Sequence, residues 1–264
     1  MADTGYWRRP GIGDAIVEAL RAAGKNPERV TVDDLAPLDH FHGGGIAATR
    51  TLARMLAPAP GTRVLDVGGG FGGPARLLAA EYRCDVTVVD LTPDYLEAGE
   101  RLTGLMGLAD RVRFRHGDAL QLPFGDGSFD AVWTQNSGMN IADKPRLYGE
   151  LRRVLRPGGR LATQEPVAGP VQPPHFPLMW ATDASGSFLL DAAALRALIE
   201  SRGFAVRAWE VATSPPTQTS PAAPGGAAIQ VLVMGDRLPA ITDANARNWA
   251  ERRLASVQGV CERA

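Results

Sequence analysis

The chain has 264 residues, 45% of them hydrophobic, and a formal net charge of −1. That length and apolar content suit one large domain with a full core, and the balanced charge gives no pull toward nucleic acid or an anionic membrane. The two cysteines, Cys84 and Cys261, lack metal-type spacing, and no uncharged apolar run approaches the ~20 residues of a membrane span. The opening MADTGYWRRPG lacks the apolar run of a signal peptide, so a cytoplasmic location is expected.

The first sixty residues read as helical. Residues 11–23 put Ile12, Ile16, Ala19, Leu20 and Ala23 on one stripe, which Gly24 ends. Thr31 followed by Asp34 predicts a capping box on a short helix through Leu35. The glycine-rich LDHFHGGG (38–45) breaks the pattern, and IAATRTLARML makes a further amphipathic helix ended by APAPG. From Thr62 onward short apolar runs alternate with helical stretches. Strands are predicted at 63–67, 86–89, 112–116, 129–134 and 160–164, and helices at 74–82, 93–106, 144–155 and 192–202. Thr92 before Pro93 and Asp191 before its helix read as N-caps, and Leu190 with Leu195 as a hydrophobic staple. RPGGR reads as the cation-then-glycine end of helix 144–155. Strands alternating with helices of this length predict βαβ units, a parallel sheet and a doubly wound α/β fold. Farther on, 204–211 alternates like a strand, 213–226 is a proline-rich loop, and AIQVLVMG is short enough to be strand or helix. Thr242 is expected to cap a helix reaching about Arg253.

Function concentrates in VLDVGGGFGG (64–73). Gly68, Gly70 and Gly73 satisfy GxGxxG between a strand and a helix, and Gly69 completes the turn. Asp90 ends the next strand about 20 residues on, where it can accept both ribose hydroxyls. This pattern alone does not separate a dinucleotide from another nucleoside. Three features favour a nucleoside without a pyrophosphate. Asp66, inside the first strand, suits a cation and repels phosphates. Asp118, past the third strand, can accept from an adenine amine while the N–H of Ala119 donates to a ring nitrogen. Gln135 ends the fourth strand, where backbone carbonyls face an ammonium. All lie at the carboxyl edge of the sheet, where open α/β sheets bind ligands.

Together, VLDVGGGFGG, VVDLTPDYLEAG, GDALQLPFGDGSFDAVWTQ and LRRVLRPGGRL resemble the motifs of class I S-adenosylmethionine-dependent methyltransferases. The flanks are similar to a bacterial small-molecule branch that includes ubiquinone/menaquinone-, tocopherol- and sarcosine/dimethylglycine-type enzymes. The resemblance implies a seven-stranded sheet of order 3-2-1-4-5-7-6 with the last strand antiparallel. Residues 204–211 then become strand six and 254–262 strand seven, with AIQVLVMG as the alternative seventh strand. Residues 1–60 are expected as a helical lid on a cofactor-binding domain at 61–264, with 212–253 as a capping insertion. The implied cofactor is S-adenosylmethionine, with S-adenosylhomocysteine as product. The glycines would pass its methionine part, Asp90 hold the ribose, Asp118 and Ala119 hold the adenine, and Leu91 pack on the base; Phe41 joins the cofactor contacts.

The acceptor side is read from candidate bases. His116 is expected to be structural or exposed. Either His40 or His42 is expected at the cavity, and His175 or Glu165 at the acceptor. Relatives often carry histidine just after strand four. Here Asn136 stands there, able to orient an acceptor but not to take its proton. The expected reaction is methyl transfer to an O, N or C atom of a small metabolite, by a protein that can form a homodimer and neither binds nucleic acid nor spans a membrane. The competing readings are a cofactor-binding module without transfer activity and an NAD-dependent oxidoreductase, the latter leaving Asp66 and Asp118 without a role.

Overall fold

Apolar runs bounded by glycine and proline become the strands of one mixed sheet. The computed structural model describes residues 4–215 and 228–264. Strands β1 (Arg63–Val67), β2 (Asp85–Asp90), β3 (Val112–His116), β4 (Phe129–Gln135) and β5 (Leu155–Ala168) run parallel. β7 (Leu254–Arg263) enters antiparallel between β5 and β6 (Phe204–Ala212), giving the order 3-2-1-4-5-7-6. β1 lies between β2 and β4, so the chain reverses its direction of winding beside β1, and a crevice opens above the carboxyl ends of β1 and β4.

Alternation along β1 assigns its side chains to two cores. Val64 faces helices α3 (Gly45–Leu56) and α4 (Gly73–Tyr82), where Leu52, Leu56, Leu77 and Leu78 are fully buried. Leu65 and Val67 face α6 (Lys144–Val154) and α7 (Ala192–Ser201), among Leu147, Leu151 and Ile199. Burying side chains of this size contributes roughly 1.5–3 kcal/mol each. A third core joins α1 (Ile12–Ala22) and α2 (Val32–Asp39) to α5 (Pro93–Leu105), α8 (Ile229–Met234) and α9 (Leu238–Ala250), through Ile16, Leu20, Leu35, Leu102, Val233 and Ile241. Helices far apart in sequence thus share one apolar cluster. No helix among the described residues is long and apolar enough to cross a membrane.

Several boundaries differ from the sequence expectation for local reasons. The Thr31–Asp34 capping box forms, but α2 continues past Leu35 to Asp39 with Pro37 inside, because Ala36 and Leu38 are buried. Thr92 occupies the N-cap position of α5 without a side-chain cap bond. Thr242 caps nothing. It lies inside α9, and its hydroxyl donates to the Leu238 carbonyl at 2.9 Å. α6 ends at Val154 without a left-handed cap, since Leu155 is already extended and opens β5. AIQVLVMG resolves as the helix α8, and strand seven lies at 254–263. Residues 216–226 of the proline-rich loop fall outside the described residues.

Candidate active site

The β1–α4 turn is built for close backbone approach. Gly68 has φ +70° and Gly70 φ +53°, a region L side chains enter only with strain. A Cβ on Gly68 would lie 2.4 Å from the Ser137 Cβ, and one on Gly69 would lie 2.5 Å from an Asp66 carboxylate oxygen. The loop is pinned on two sides. Gly68 N–H donates to the Val89 carbonyl at 2.8 Å, and Gly70 N–H donates to Asp90 Oδ2 at 3.0 Å. Asp90 Oδ1 accepts from Thr92 N–H at 2.8 Å, so one carboxylate orders both the glycine turn and the start of α5. Asp118 Oδ1 accepts from Leu120 N–H at 2.8 Å and fixes the turn after β3. Phe71, the aromatic inside the glycine cluster, packs on Tyr95 with ring centroids 4.2 Å apart.

These groups line a single cavity of about 1380 Å³ above the carboxyl edge. Asp66, Gly68, Gly69, Gly70, Asp90, Leu91, Asp118, Ala119, Gln135, Asn136 and Phe41 all meet there. Its electrostatics are one-sided: aspartates face it, and among the described residues no lysine or arginine lines it. Asp66 is 1% exposed, and its Oδ2 has no hydrogen-bond partner among the described residues. Burial, reinforced by the neighbouring Asp90 and opposed by Arg76, pushes its carboxyl up to about 8. Asp90 is also raised by burial, with the Thr92 and Gly70 N–H groups working the other way. A buried carboxylate without a partner is costly unless a cation comes to it.

Comparison with known proteins bears on this geometry. Residues 65–163 match the methyltransferase domain family model. This stretch is a methyltransferase domain. The chain is 37% identical over 125 residues to a glycine/sarcosine/dimethylglycine N-methyltransferase of Actinopolyspora halophila, covering 46% of the chain and 22% of that protein. It is 33% identical over 162 residues to an O-methyltransferase of Penicillium expansum, covering 61% and 59% of the two chains. The chain spans only 22% to 46% of the length of the first curated relatives it matches. Among solved structures, a geranyl diphosphate C-methyltransferase from Streptomyces coelicolor A3(2) superposes with a TM-score of 0.71 at 19% identity, covering 97% of this chain and all of that one. The shared fold includes the 3-2-1-4-5-7-6 sheet.

Behind the cavity of the methyltransferase domain lies a row of amides. Strand register places Gln135 beside Gln164 and Gln164 beside Gln258, across β4, β5 and β7. Gln135 and Gln258 both donate to Gln164 Oε1, at 3.0 and 2.6 Å. Gln164 donates in turn to the Gly43 carbonyl at 2.9 Å, and Gln258 to the Ala48 carbonyl at 3.0 Å. Thr49 and Trp133 donate to Gln135 Oε1, each at 3.2 Å. The row fixes the HFHGGG loop to the sheet. It went unread in the sequence, where its only signal is the Thr-Gln pair repeated at 134–135 and 163–164.

Of the two histidines beside Phe41, His42 lines the cavity. Its Nε2 lies 3.1 Å from the Thr49 hydroxyl, and burial together with the neighbouring His40 pushes its pKa down to about 3. His40 does not line the cavity. It is buried against Asp39, 2.6 Å away, and Asp39 also accepts from the buried Arg76 at 2.8 Å. His116 is exposed at the end of β3.

The two expected acceptor contacts do not reach the cavity. On β5, Gln164 and Pro166 face it, so Glu165 between them faces the opposite side. There Glu165 Oε1 accepts from Gly138 N–H at 3.0 Å, and burial pushes the carboxyl up to about 7 despite Gly138 and Lys144. Its place is under the loop that follows β4. His175 is held away by α9: its Nε2 lies 2.8 Å from Glu251 and 3.3 Å from Arg247, while its backbone exchanges hydrogen bonds with the Asn248 amide. Asn136, the third expected residue, does line the cavity. It is held at φ +54°, and its Oδ1 is buried without a partner among the described residues.

Proposed function

We propose that this chain transfers a methyl group from S-adenosylmethionine to an O, N or C atom of a small-molecule acceptor, releasing S-adenosylhomocysteine. The observation carrying this reading is the buried, partnerless carboxylate of Asp66 beside the Gly68–Gly70 turn, in a cavity whose described walls hold no lysine or arginine. Those residues fit a cationic nucleoside and oppose a pyrophosphate. Gly68, Gly69 and Gly70 would hold the methionine part, Asp90 the ribose, Asp118 and Ala119 the adenine, with Leu91, Phe41 and Gln135 completing the contacts.

The cofactor, when bound, supplies an activated methyl on sulfur. The chain supplies alignment and exclusion of water. Ligand pockets usually measure about 300–1,000 Å³, and a cavity of about 1380 Å³ has room for a cofactor and an acceptor together. The methyltransferase domain gives its floor, and the described parts of the helical lid and of the insertion, which reach the cavity through residues such as Trp7, Phe41 and Trp249, act as the cap that admits and orients the acceptor. His42 stays neutral with a pKa near 3, so it orients by hydrogen bonding and does not draw a proton at neutral pH. That feature also favours a second reading, a cofactor-binding module without transfer activity.

Thermal unfolding of the full chain separates these readings. S-adenosylhomocysteine at a hundredfold excess over its Kd should stabilise by about 2.7 kcal/mol, and NAD should not. Stabilisation by NAD alone would reverse the assignment. Cofactor binding without methyl release across an acceptor panel would leave the binding-module reading.

A further inference from the structure

The cap half of the cavity has a chemistry of its own, and the inference drawn from it rests on the proposed function. Trp7, Phe41, Met179, Trp180, Phe188 and Trp249 converge there from the N-terminal turn, the α2–α3 loop, the segment after β5, and α9. The polar groups among them are uncharged: Asn136, Asn140, Ser185, Thr242 and Asn245. Asn140 is spent on the wall, donating to the Trp180 and Gly186 carbonyls at 2.9 Å each.

Among the described residues, the charges that line this half are engaged, and so are two arginines that flank it. Asp39 is paired with Arg76 and His40, and Asp143 accepts from Arg146 N–H at 3.0 Å as the N-cap of α6. Arg237 lies over the Tyr6 ring, 4.5 Å from its centroid, and Arg9 donates to the Val233 carbonyl. A phosphorylated or carboxylated acceptor would therefore enter without a counter-charge, close to the aspartates of the floor. A cationic acceptor finds aromatic faces, but it would stand against a cofactor of the same sign with no unpaired carboxylate on its own side. An uncharged acceptor meets neither penalty.

Among the described residues, Asn136 Oδ1 and Tyr95 Oη are the uncharged, buried atoms of lining residues without a partner, and Asn136 is the one in the turn after β4. Asn136 Oδ1, buried and partnerless among the described residues, can only accept a hydrogen bond. Asn136 lies between Gln135 of the amide row and Ser137, which packs against Gly68. We propose that the acceptor is an uncharged, largely apolar molecule that presents one hydroxyl or N–H to Asn136 Oδ1.

Isothermal titration of the full chain, pre-loaded with sinefungin, a cofactor analogue whose amine keeps the positive charge that S-adenosylhomocysteine lacks, tests this with matched probes: 1-naphthol against 1-naphthyl phosphate, geraniol against geranyl phosphate, and choline as the cation. The neutral member of at least one pair should bind about tenfold or more tightly than its phosphate and than choline. Asn245→Arg, which adds a cation to the cap, should narrow that ratio by raising phosphate affinity. Equal or tighter binding of the phosphates or of choline to the unmodified chain overturns the proposal, and so does failure of every neutral probe. Failure of sinefungin or S-adenosylhomocysteine to bind would instead overturn the proposed function on which this rests.

Discussion

The floor and the cap of the cavity are made in different ways. The floor comes from consecutive strand ends, each a few residues long, and its acidic and glycine positions follow one another in chain order: Asp66, Gly68, Asp90, Asp118. The cap is assembled from Trp7, Trp180 and Trp249, which lie in segments separated by many tens of residues. The floor is therefore constrained by backbone geometry that few side chains satisfy. The cap is constrained by volume and polarity, which many side chains satisfy. Under the function proposed above, the first region would define the cofactor and the second would select the acceptor.

The largest effect is expected in the floor. Gly68→Ala and Gly70→Ala both force an L residue to positive φ, at roughly 1–2 kcal/mol. Only the Gly68 methyl also meets a side chain, at 2.4 Å, while that of Gly70 meets Tyr95 at an ordinary 3.6 Å. Calorimetry with S-adenosylhomocysteine should show a loss of about a hundredfold or more for Gly68→Ala and about tenfold for Gly70→Ala. Equal losses would mean that the clash is relieved and that backbone strain alone governs the turn.

Asp66 gives a comparable effect with a definite sign. Its folded pKa, about 8, lies above the ordinary carboxyl value, so the folded chain holds the proton more tightly than the unfolded chain. The stability this brings is complete below about pH 4 and disappears as pH rises through 8. Asp66→Asn keeps the shape without the charge. Between pH 5 and pH 8 the ligand-free wild type should lose roughly 3–4 kcal/mol relative to the variant. Glu165 titrates with the same sign in an overlapping window, and subtracting the variant removes its contribution. S-adenosylmethionine should reverse the order at pH 8, where a carboxylate facing a cation is stabilising. A variant whose melting temperature tracks the wild type across this range would contradict the buried-carboxylate argument.

The smallest effect belongs to the outer surface of the cap. His175→Ala removes a partly exposed pair with Glu251, and the melting temperature should barely move. Turnover should be unchanged. A large fall in rate with an intact fold would show that the histidine reaches the acceptor after all.

The floor was legible in the sequence because its signals are local. A glycine after an apolar strand, a carboxylate at the next strand end and a capping pair each depend on only a few neighbours, and the positions of β6 and β7 followed once the resemblance supplied the strand order. The rest depended on contacts that spacing does not encode. Which way Glu165 faces is fixed by the phase of β5, in which Gln164 and Pro166 line the cavity. His175 is captured by Glu251 from a helix 76 positions away. The glutamines meet only because β4, β5 and β7 share a register. Asn136 was recognised by its position, but its partnerless oxygen is a three-dimensional fact.

The placement of β7 has a consequence for how the molecule assembles. It is the last strand in sequence and an interior strand of the sheet, so β5 and β6 must wait for it with unpaired edges. Gln258 rides on that strand, and its bonds to Gln164 Oε1 and to the Ala48 carbonyl in the first turn of α3 form only when the strand docks. Completion of the amide row behind the cavity thereby depends on a long-range pairing, and a chain in which that strand is undocked leaves strand edges of β5 and β6 open.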